Sequence, residues 1–290
     1  MPVTRPGPNN FVLIVGAMKS GTSSLFRALS QHPQVAVSRQ KEPEFFSDET
    51  IYKKGFQWYR DLWDWNPARH TIALEASTSY TKAPLRAGVP QRIADASGSQ
   101  FRFIYIMRHP FERIESHVRH GMYAGWTRSL DEGLRSQDEL IDITRYASQI
   151  DEYLQFFPRE SLLLLTLDEF RQDPEDVMKR VCRHIGIADD IKLQNLEVRE
   201  NAGERYDVPK IVNRIGDSDS LSVRILKKAL NIFSKSKGDY ELWRYSPVKV
   251  KRGRYQLTGL EQQKVRDSLQ ADLQRLRKEY GIDTKKYWQM

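Results

Sequence analysis

Two stretches of this chain put anion-binding chemistry where a strand runs into a helix. The first is FVLIVGAMKSGTSSL, Phe11 to Leu25. An apolar, β-branched run enters a turn bounded by Gly16 and Gly21, and a helix-forming run follows. A loop of this kind turns backbone N–H groups outward from a helix N-terminus and binds phosphate. Ser20, Gly21, Thr22, Ser23 and Ser24 add small side chains and hydroxyl donors. The two glycines have the Walker spacing G-x-x-x-x-G-K-[ST], yet Thr22 stands where the Walker lysine would be. The lysine is Lys19, inside the loop. The second stretch, IMRHPFERIESH, has the same layout. Arg108 lies at a strand exit and Ser116 about two turns into the next helix, a spacing that lets both reach one phosphate.

These residues need a sheet to position them, and the patterning supplies one. FVLIV, VAVS, TIALEAS, FRFIYIMR and SLLLLTLDEF read as strands. They alternate with helical patterns at SSLFRALSQH, GFQWYRDLWDW, QRIADAS, HPFERIESHVRHGMY, TRYASQIDEYLQFFP and DPEDVMKRVCRHIGI. In the last of these, Asp173 is placed to cap the helix and Pro174 to open it. Such alternation predicts an α/β fold, P-loop-like, in three α/β/α layers with a central, mainly parallel sheet. Beyond about residue 195 the pattern weakens. SLSVRILKKALNIFSK reads as a basic amphipathic helix, packed on the core or facing an acidic polymer or membrane surface. SPVKVKRGRYQL reads as a basic loop. A long C-terminal helix carries Val265, Leu269, Leu273, Leu276 and Tyr280 on one stripe, and Gly281 ends it.

Composition narrows the class. At 290 residues with 39% hydrophobic content, the chain can bury a large α/β core. A net charge of +8 points to an anionic ligand without choosing among nucleotide, nucleic acid and acidic glycan. The basic residues are dispersed and no nucleic-acid motif appears, so a nucleic-acid partner is not expected. Cys182, the single cysteine, excludes an internal disulfide and reads as a buried helix residue. No Cys/His cluster has zinc spacing and no metal is expected. There is no apolar run long enough to span a bilayer and no signal-peptide pattern, so the expectation is a cytoplasmic protein. The oligomeric state is left open.

KSGTSSL together with RHPFERIESH resembles the paired nucleotide motifs of the sulfotransferases that use 3′-phosphoadenosine-5′-phosphosulfate (PAPS). Lys19 falls one residue before the SGT core, as in that family, and the spacing from Arg108 to Ser116 also matches. The resemblance covers roughly residues 10 to 190 and returns near the C-terminus at GID and Trp288. It implies PAPS as donor and the 3′,5′-bisphosphate (PAP) as product. It also implies that Lys19 and the residues Ser20 to Ser24 serve the 5′ side, and Arg108 and Ser116 the 3′-phosphate. A kinase lysine works beside Mg²⁺ on a triphosphate; Lys19 would instead stabilise the oxygen that leaves sulfur. Tyr146 falls where the family packs the adenine region, and Arg252 and Gly253 resemble a late basic loop that closes over the 3′-phosphate.

The acceptor side follows from the same resemblance. KEPEFF, Lys41 to Phe46, is similar to a segment of the heparan-sulfate-like and related bacterial branch in which the glutamate is the catalytic base. Glu42 takes that role here, with Glu44 as the alternative, and Lys41 is expected to meet the substrate. LEASTSYTK resembles a segment lining the acceptor cleft, which implicates Glu75, Ser79 and Tyr80. The expected activity is sulfuryl transfer from PAPS to a hydroxyl, with a carbohydrate as the acceptor. A lipid or other natural product as acceptor, and a P-loop kinase, are the alternatives. The expected organisation is one domain over 1–290: a nucleotide-binding core at 10–195, a variable substrate and basic-loop region at 196–256, and a C-terminal helix at 257–290.

Overall fold

A computed structural model of the chain describes residues 7–96, 98–124, 137–191, 193, 194, 196 and 256–290. Among them, five strands form one sheet: β1 (Asn10–Gly16), β2 (Val35–Val37), β3 (Ile72–Ala76), β4 (Gln100–Met107) and β5 (Leu162–Thr166). The spatial order is β2-β3-β1-β4-β5, and every pairing is parallel. Leu13 lies opposite Glu75 on one side and Phe103 on the other, and Tyr105 opposite Leu164.

Both faces of the sheet are covered, so the strands are mainly apolar on both sides, with Glu75 on β3 and Arg102 near the start of β4 as the charged exceptions. Phe11, Leu13, Val15, Phe103, Tyr105 and Met107 enter one core; Val12, Ile14, Ile104 and Ile106 enter the other. The second core is closed by α1 (Thr22–Leu29), α8 (Leu167–Gln172) and α9 (Pro174–Ile185). As the sequence predicts, Asp173 caps α9 by accepting from Asp176 N, Pro174 opens it, and Cys182 is buried in its apolar face.

The first core is closed by α3 (Phe56–Arg60), α4 (Val89–Ala94), α5 (Pro110–Ala124), α6 (Gln137–Thr144), α7 (Tyr146–Leu154) and α10 (Gly259–Lys278). Two short helices complete the set: α2 (Glu49–Tyr52) and α11 (Thr284–Trp288). In α10 the predicted stripe is buried at Val265, Leu269, Leu273 and Leu276, and a capping box of Thr258 and Glu261 starts the helix.

Three boundaries differ from the sequence reading. GFQWYRDLWDW is helical only over Phe56–Arg60. It then turns so that Trp63 Nε1 donates to Leu74 O at 3.2 Å, which carries the chain back to the sheet. SLLLLTLDEF stops being a strand at Thr166, because Thr166 and Glu169 form a capping box and α8 begins at Leu167. TRYASQIDEYLQFFP splits at Arg145, between α6 and α7. The predicted basic helix and the predicted basic loop lie outside the described residues.

Strand order fixes where a ligand can sit. The connection leaving β1 goes to the β2–β3 side of the sheet, and the one leaving β4 goes to β5 on the opposite side. The carboxyl ends of β1 and β4 therefore open on a crevice between diverging connections, the place where open α/β sheets bind ligands.

Candidate active site

The loop after β1 is shaped by close approach. A Cβ on Gly21 would stand 2.5 Å from Leu167 Cδ1, and Gly21 has φ 92°, so only glycine fits between the loop and α8. At Gly16 a Cβ would run into the Thr81 hydroxyl. Ser20, Thr22 and Ser24 are buried, and Ser20 N donates to Ala17 O at 3.1 Å. Lys19 is held at φ 70°. Glu42 (φ 57°) and Glu44 (φ 53°) share this left-handed conformation, each at a cost of order 1–3 kcal/mol. Among the described residues the left-handed non-glycine positions are Lys19, Glu42, its alternative Glu44, and Gln289 near the C-terminus.

Arg108 joins the second motif to the first. Its Nη1 donates to Lys19 O at 3.3 Å, while Nε and Nη2 reach Glu112 Oε2 at 2.9 and 2.7 Å. Tyr146 is fully buried, packed against Tyr105 and Trp288, and braces the arginine backbone. Its hydroxyl donates to Arg108 O at 2.7 Å and accepts from Arg108 N at 3.4 Å. Burial pushes the phenol up to about 12, against the pull of Arg113 and of the bond to Arg108. Tyr146 thus reaches the second motif through the Arg108 backbone. Arg113 is buried and committed to structure: it donates to Thr144 Oγ1 at 2.9 Å and to Leu140 O at 2.7 Å. Ser116 is half-buried on α5.

Cations crowd around the loop. Burial first, then Arg108 and Arg119, lower Lys19 to about 8. Burial and the neighbouring cations also hold His117 at about 2, so its imidazole is neutral near pH 7; His120 is lowered in the same direction although it stays exposed to solvent. Lys82 is lowered by burial, opposed by Glu139, Glu44 and Glu42. A lysine this poorly tolerated as a cation sits where an anion would relieve the repulsion, which is the property a bisphosphate site requires.

The KEPEFF loop is pinned over the end of β3 by its aromatic residues. Phe45 and Phe46 are buried with Tyr59, at centroid separations of 4.8 and 5.0 Å. Phe46 N donates to Tyr80 OH at 3.4 Å, Glu44 N to Ser77 Oγ at 3.3 Å, and Ser47 and Ser79 share a hydrogen bond of 2.7 Å. Lys41 stays exposed, and Glu42 and Glu44 are both half-buried. Lys41 Nζ donates to Ser23 Oγ at 2.7 Å and lies 3.5 Å from Glu42 Oε1. Thr78, in the 3-10 turn Thr78–Thr81, donates to Glu42 Oε2 at 3.5 Å. Lys41 thus ties the candidate base to the first turn of the phosphate-loop helix.

The three residues expected to line an acceptor cleft, Glu75, Ser79 and Tyr80, are all buried. Neither Glu75 oxygen meets hydrogen-bond geometry, although the Tyr80 and Tyr59 phenols lie close enough to favour the carboxylate. Burial wins and lifts the Glu75 carboxyl to about 8. Arg252 and Gly253 lie outside the described residues. Sequence reasoning missed Arg119, His120, Thr78 and Lys82. The signal for the first two was present: they follow Ser116 at i+3 and i+4 on α5, the same helix face.

Comparison with known proteins agrees with this geometry. The family model "Sulfotransferase domain" matches residues 9–201. Human heparan sulfate glucosamine 3-O-sulfotransferase 6 is 28% identical over 193 residues, covering 63% of this chain and 54% of that protein. Human bifunctional heparan sulfate N-deacetylase/N-sulfotransferase 3 is 27% identical over 202 residues, covering 60% of this chain and 22% of that protein. The chain thus spans about half the length of the first relative and about a fifth of the second. The crystal structure of a sulfotransferase from Alicyclobacillus acidocaldarius superposes with a TM-score of 0.55 at 25% identity, over 83% of this chain and all of that one. With its phosphate loop, its strand order and a family match across two-thirds of its length, this chain belongs to the sulfotransferase domain family.

Proposed function

We propose that the protein transfers the sulfuryl group of PAPS to a hydroxyl, and that the acceptor is a carbohydrate. One observation carries the reading: Lys19, Arg108 and Glu42 stand on three separate segments that hydrogen bonds tie together, through Arg108 Nη1 to Lys19 O and Lys41 Nζ to Ser23 Oγ. The crowding of cations at Lys19 supports an anionic occupant, and the outward backbone of the loop supports a phosphate.

In this reading the acceptor oxygen forms a bond to sulfur as the bond from sulfur to the donor's 5′-phosphate oxygen breaks. The hydroxyl proton passes to Glu42, which Thr78 and Lys41 orient. Negative charge gathers on the departing oxygen, and Lys19 neutralises it. Arg108 and Ser116 hold the 3′-phosphate. Leu257 N donates to Glu115 Oε1 at 3.0 Å, which ties the start of the C-terminal segment, four residues after Gly253, to the helix that carries Ser116. That tie supports Arg252 and Gly253 as part of the same site. Lys41 is assigned to the acceptor as well as to the bridge; Glu75, Ser79 and Tyr80 support the acceptor side from beneath. The single domain and a cytoplasmic location belong to this proposal too.

A sugar is favoured because two of the similar proteins are named for heparan sulfate and because the KEPEFF loop resembles that branch. The donor site is tested by thermal melting with PAP and EDTA, compared with ATP and Mg²⁺. PAP at 100 times its dissociation constant should add about 2.7 kcal/mol of stability. A shift with ATP and Mg²⁺ alone would refute the sulfotransferase reading in favour of phosphoryl transfer.

A further inference from the structure

The N-terminus of α7 is capped from outside its own segment. Its N-cap residue, Arg145, makes no side-chain cap, and the first backbone donors would otherwise be buried without partners. Asp272, buried on α10, accepts from Ala147 N at 3.0 Å, from Ser148 N at 2.9 Å and from Ser148 Oγ at 2.9 Å. Residues 147 and 272 are 125 positions apart. Tyr146 opens the helix that this carboxylate holds, and Tyr146 is the residue whose hydroxyl grips both the carbonyl and the N–H of Arg108. Arg108 in turn holds the Lys19 carbonyl. The line from Asp272 to the phosphate loop is continuous, each link a hydrogen bond or an adjacent backbone residue.

We infer that Asp272 is a positioning residue for donor binding: by capping α7 it fixes Tyr146, and through Tyr146 it fixes Arg108 in the site. Two features favour this role over simple anchoring of the C-terminal helix. Anchoring is already provided by Arg275, whose guanidinium reaches both oxygens of Asp151 at 2.7 and 2.9 Å, near the far end of α7 from Tyr146. Burial also opposes the Asp272 carboxylate, raising its pKa above the ordinary range despite three hydrogen bonds. Its three bonds fall on Ala147 and Ser148, at the end of α7 that meets the arginine.

The proposal rests on the reading of Arg108 as part of a bisphosphate site. Its test is the PAP dissociation constant of Asp272→Asn and Asp272→Ala, measured well below their melting points. Asp151→Asn serves as a matched control that weakens the other α10–α7 contact. Both Asp272 variants should bind PAP about 10-fold or more weakly, the scale of one mispositioned charged hydrogen bond. Asp151→Asn should lose stability while keeping PAP affinity within about 2-fold. Tyr146→Phe should weaken PAP alone, and adding Asp272→Asn to it should change affinity little further, since the two act in series. If Asp272→Ala fails to fold, Ser148→Ala, which removes one of the three bonds, should still weaken PAP a few-fold. Wild-type affinity in Asp272→Asn, or losses that simply add to those of Tyr146→Phe, would overturn the proposal. A wild-type protein that does not bind PAP would overturn the donor-site reading and this proposal with it.

Discussion

Binding of PAP should draw a proton onto Lys19 at alkaline pH. In the free protein, burial and the Arg108 and Arg119 charges hold this lysine at about 8. The negative charge of a bisphosphate beside it offsets first the cost of burial and then the repulsion, and so raises the lysine back to its ordinary range, near 10.5. A recovery of that size corresponds to a few kcal/mol of binding, on the order of 3, that is available below pH 8 and is lost as pH rises above it. From the same two values, proton uptake on binding should rise from about 0.1 at pH 7 to about 0.9 at pH 9. The phosphates of PAP do not contribute there, because their second ionisation lies near 6. Titration calorimetry at pH 9, in two buffers of different ionisation enthalpy, reads this uptake directly. Lys19→Met should abolish it. Uptake below about 0.2 at pH 9 in the wild type would refute the placement of Lys19 beside the bound anion.

Other consequences concern the base, the buried carboxyl and the loop. Glu42→Gln should lower kcat by about 10²-fold or more and leave PAP affinity within about 2-fold, while Glu44→Gln keeps its rate. Steady-state kinetics on both variants decides between the two glutamates, and an unchanged kcat in Glu42→Gln removes it from the base role. Glu75 has its folded pKa raised to about 8 from 4.5. Its contribution to stability is therefore fully present below about pH 4.5 and is lost as pH rises through 8, a change of order 5 kcal/mol. Urea unfolding at pH 5 and pH 8 should show that Glu75→Gln flattens this slope; equal slopes in variant and wild type would contradict it. Gly21→Ala, which forces a Cβ against Leu167 at φ 92°, should cost about 1–3 kcal/mol in the same unfolding assay, and a neutral result would mean that the loop can shift away from α8.

Much of this arrangement could be read from local signals in the chain. The strands were legible because burial on both faces makes their central residues continuous apolar runs, as in FVLIV and in FIYIM of the fourth strand. Asp173–Pro174 marked the start of α9, since capping chemistry is local. The Thr166–Glu169 capping box was equally local, and it went unread because the apolar LLLL before it dominated the pattern. The phosphate loop and Arg108 were legible through their spacing at strand ends.

What the sequence could not show are contacts made across long separations. Tyr146 is packed between Tyr105 and Trp288, and its hydroxyl turns to the Arg108 backbone, contacts that no local pattern announces. Glu75 looked like a cleft residue, yet the pleat of β3 turns it inward toward Tyr59 and Tyr80. Asp272 is one charge among many on a long polar helix, and only the packing of α10 on α7 reveals what it caps.

In the proposed reaction a sulfuryl group moves from PAPS to a carbohydrate hydroxyl, with Lys19 and Glu42 doing the chemistry. The most direct measurement is transfer of label from ³⁵S-PAPS to heparan-type oligosaccharides in the presence of EDTA, for the wild type, Lys19→Met and Glu42→Gln. The account predicts labelled oligosaccharide and equimolar PAP from the wild type, and rates at least about 10²-fold lower from each variant. Absence of transfer by a wild-type protein that binds PAP would contradict the assignment of a sugar acceptor, and undiminished transfer by both variants would contradict the site.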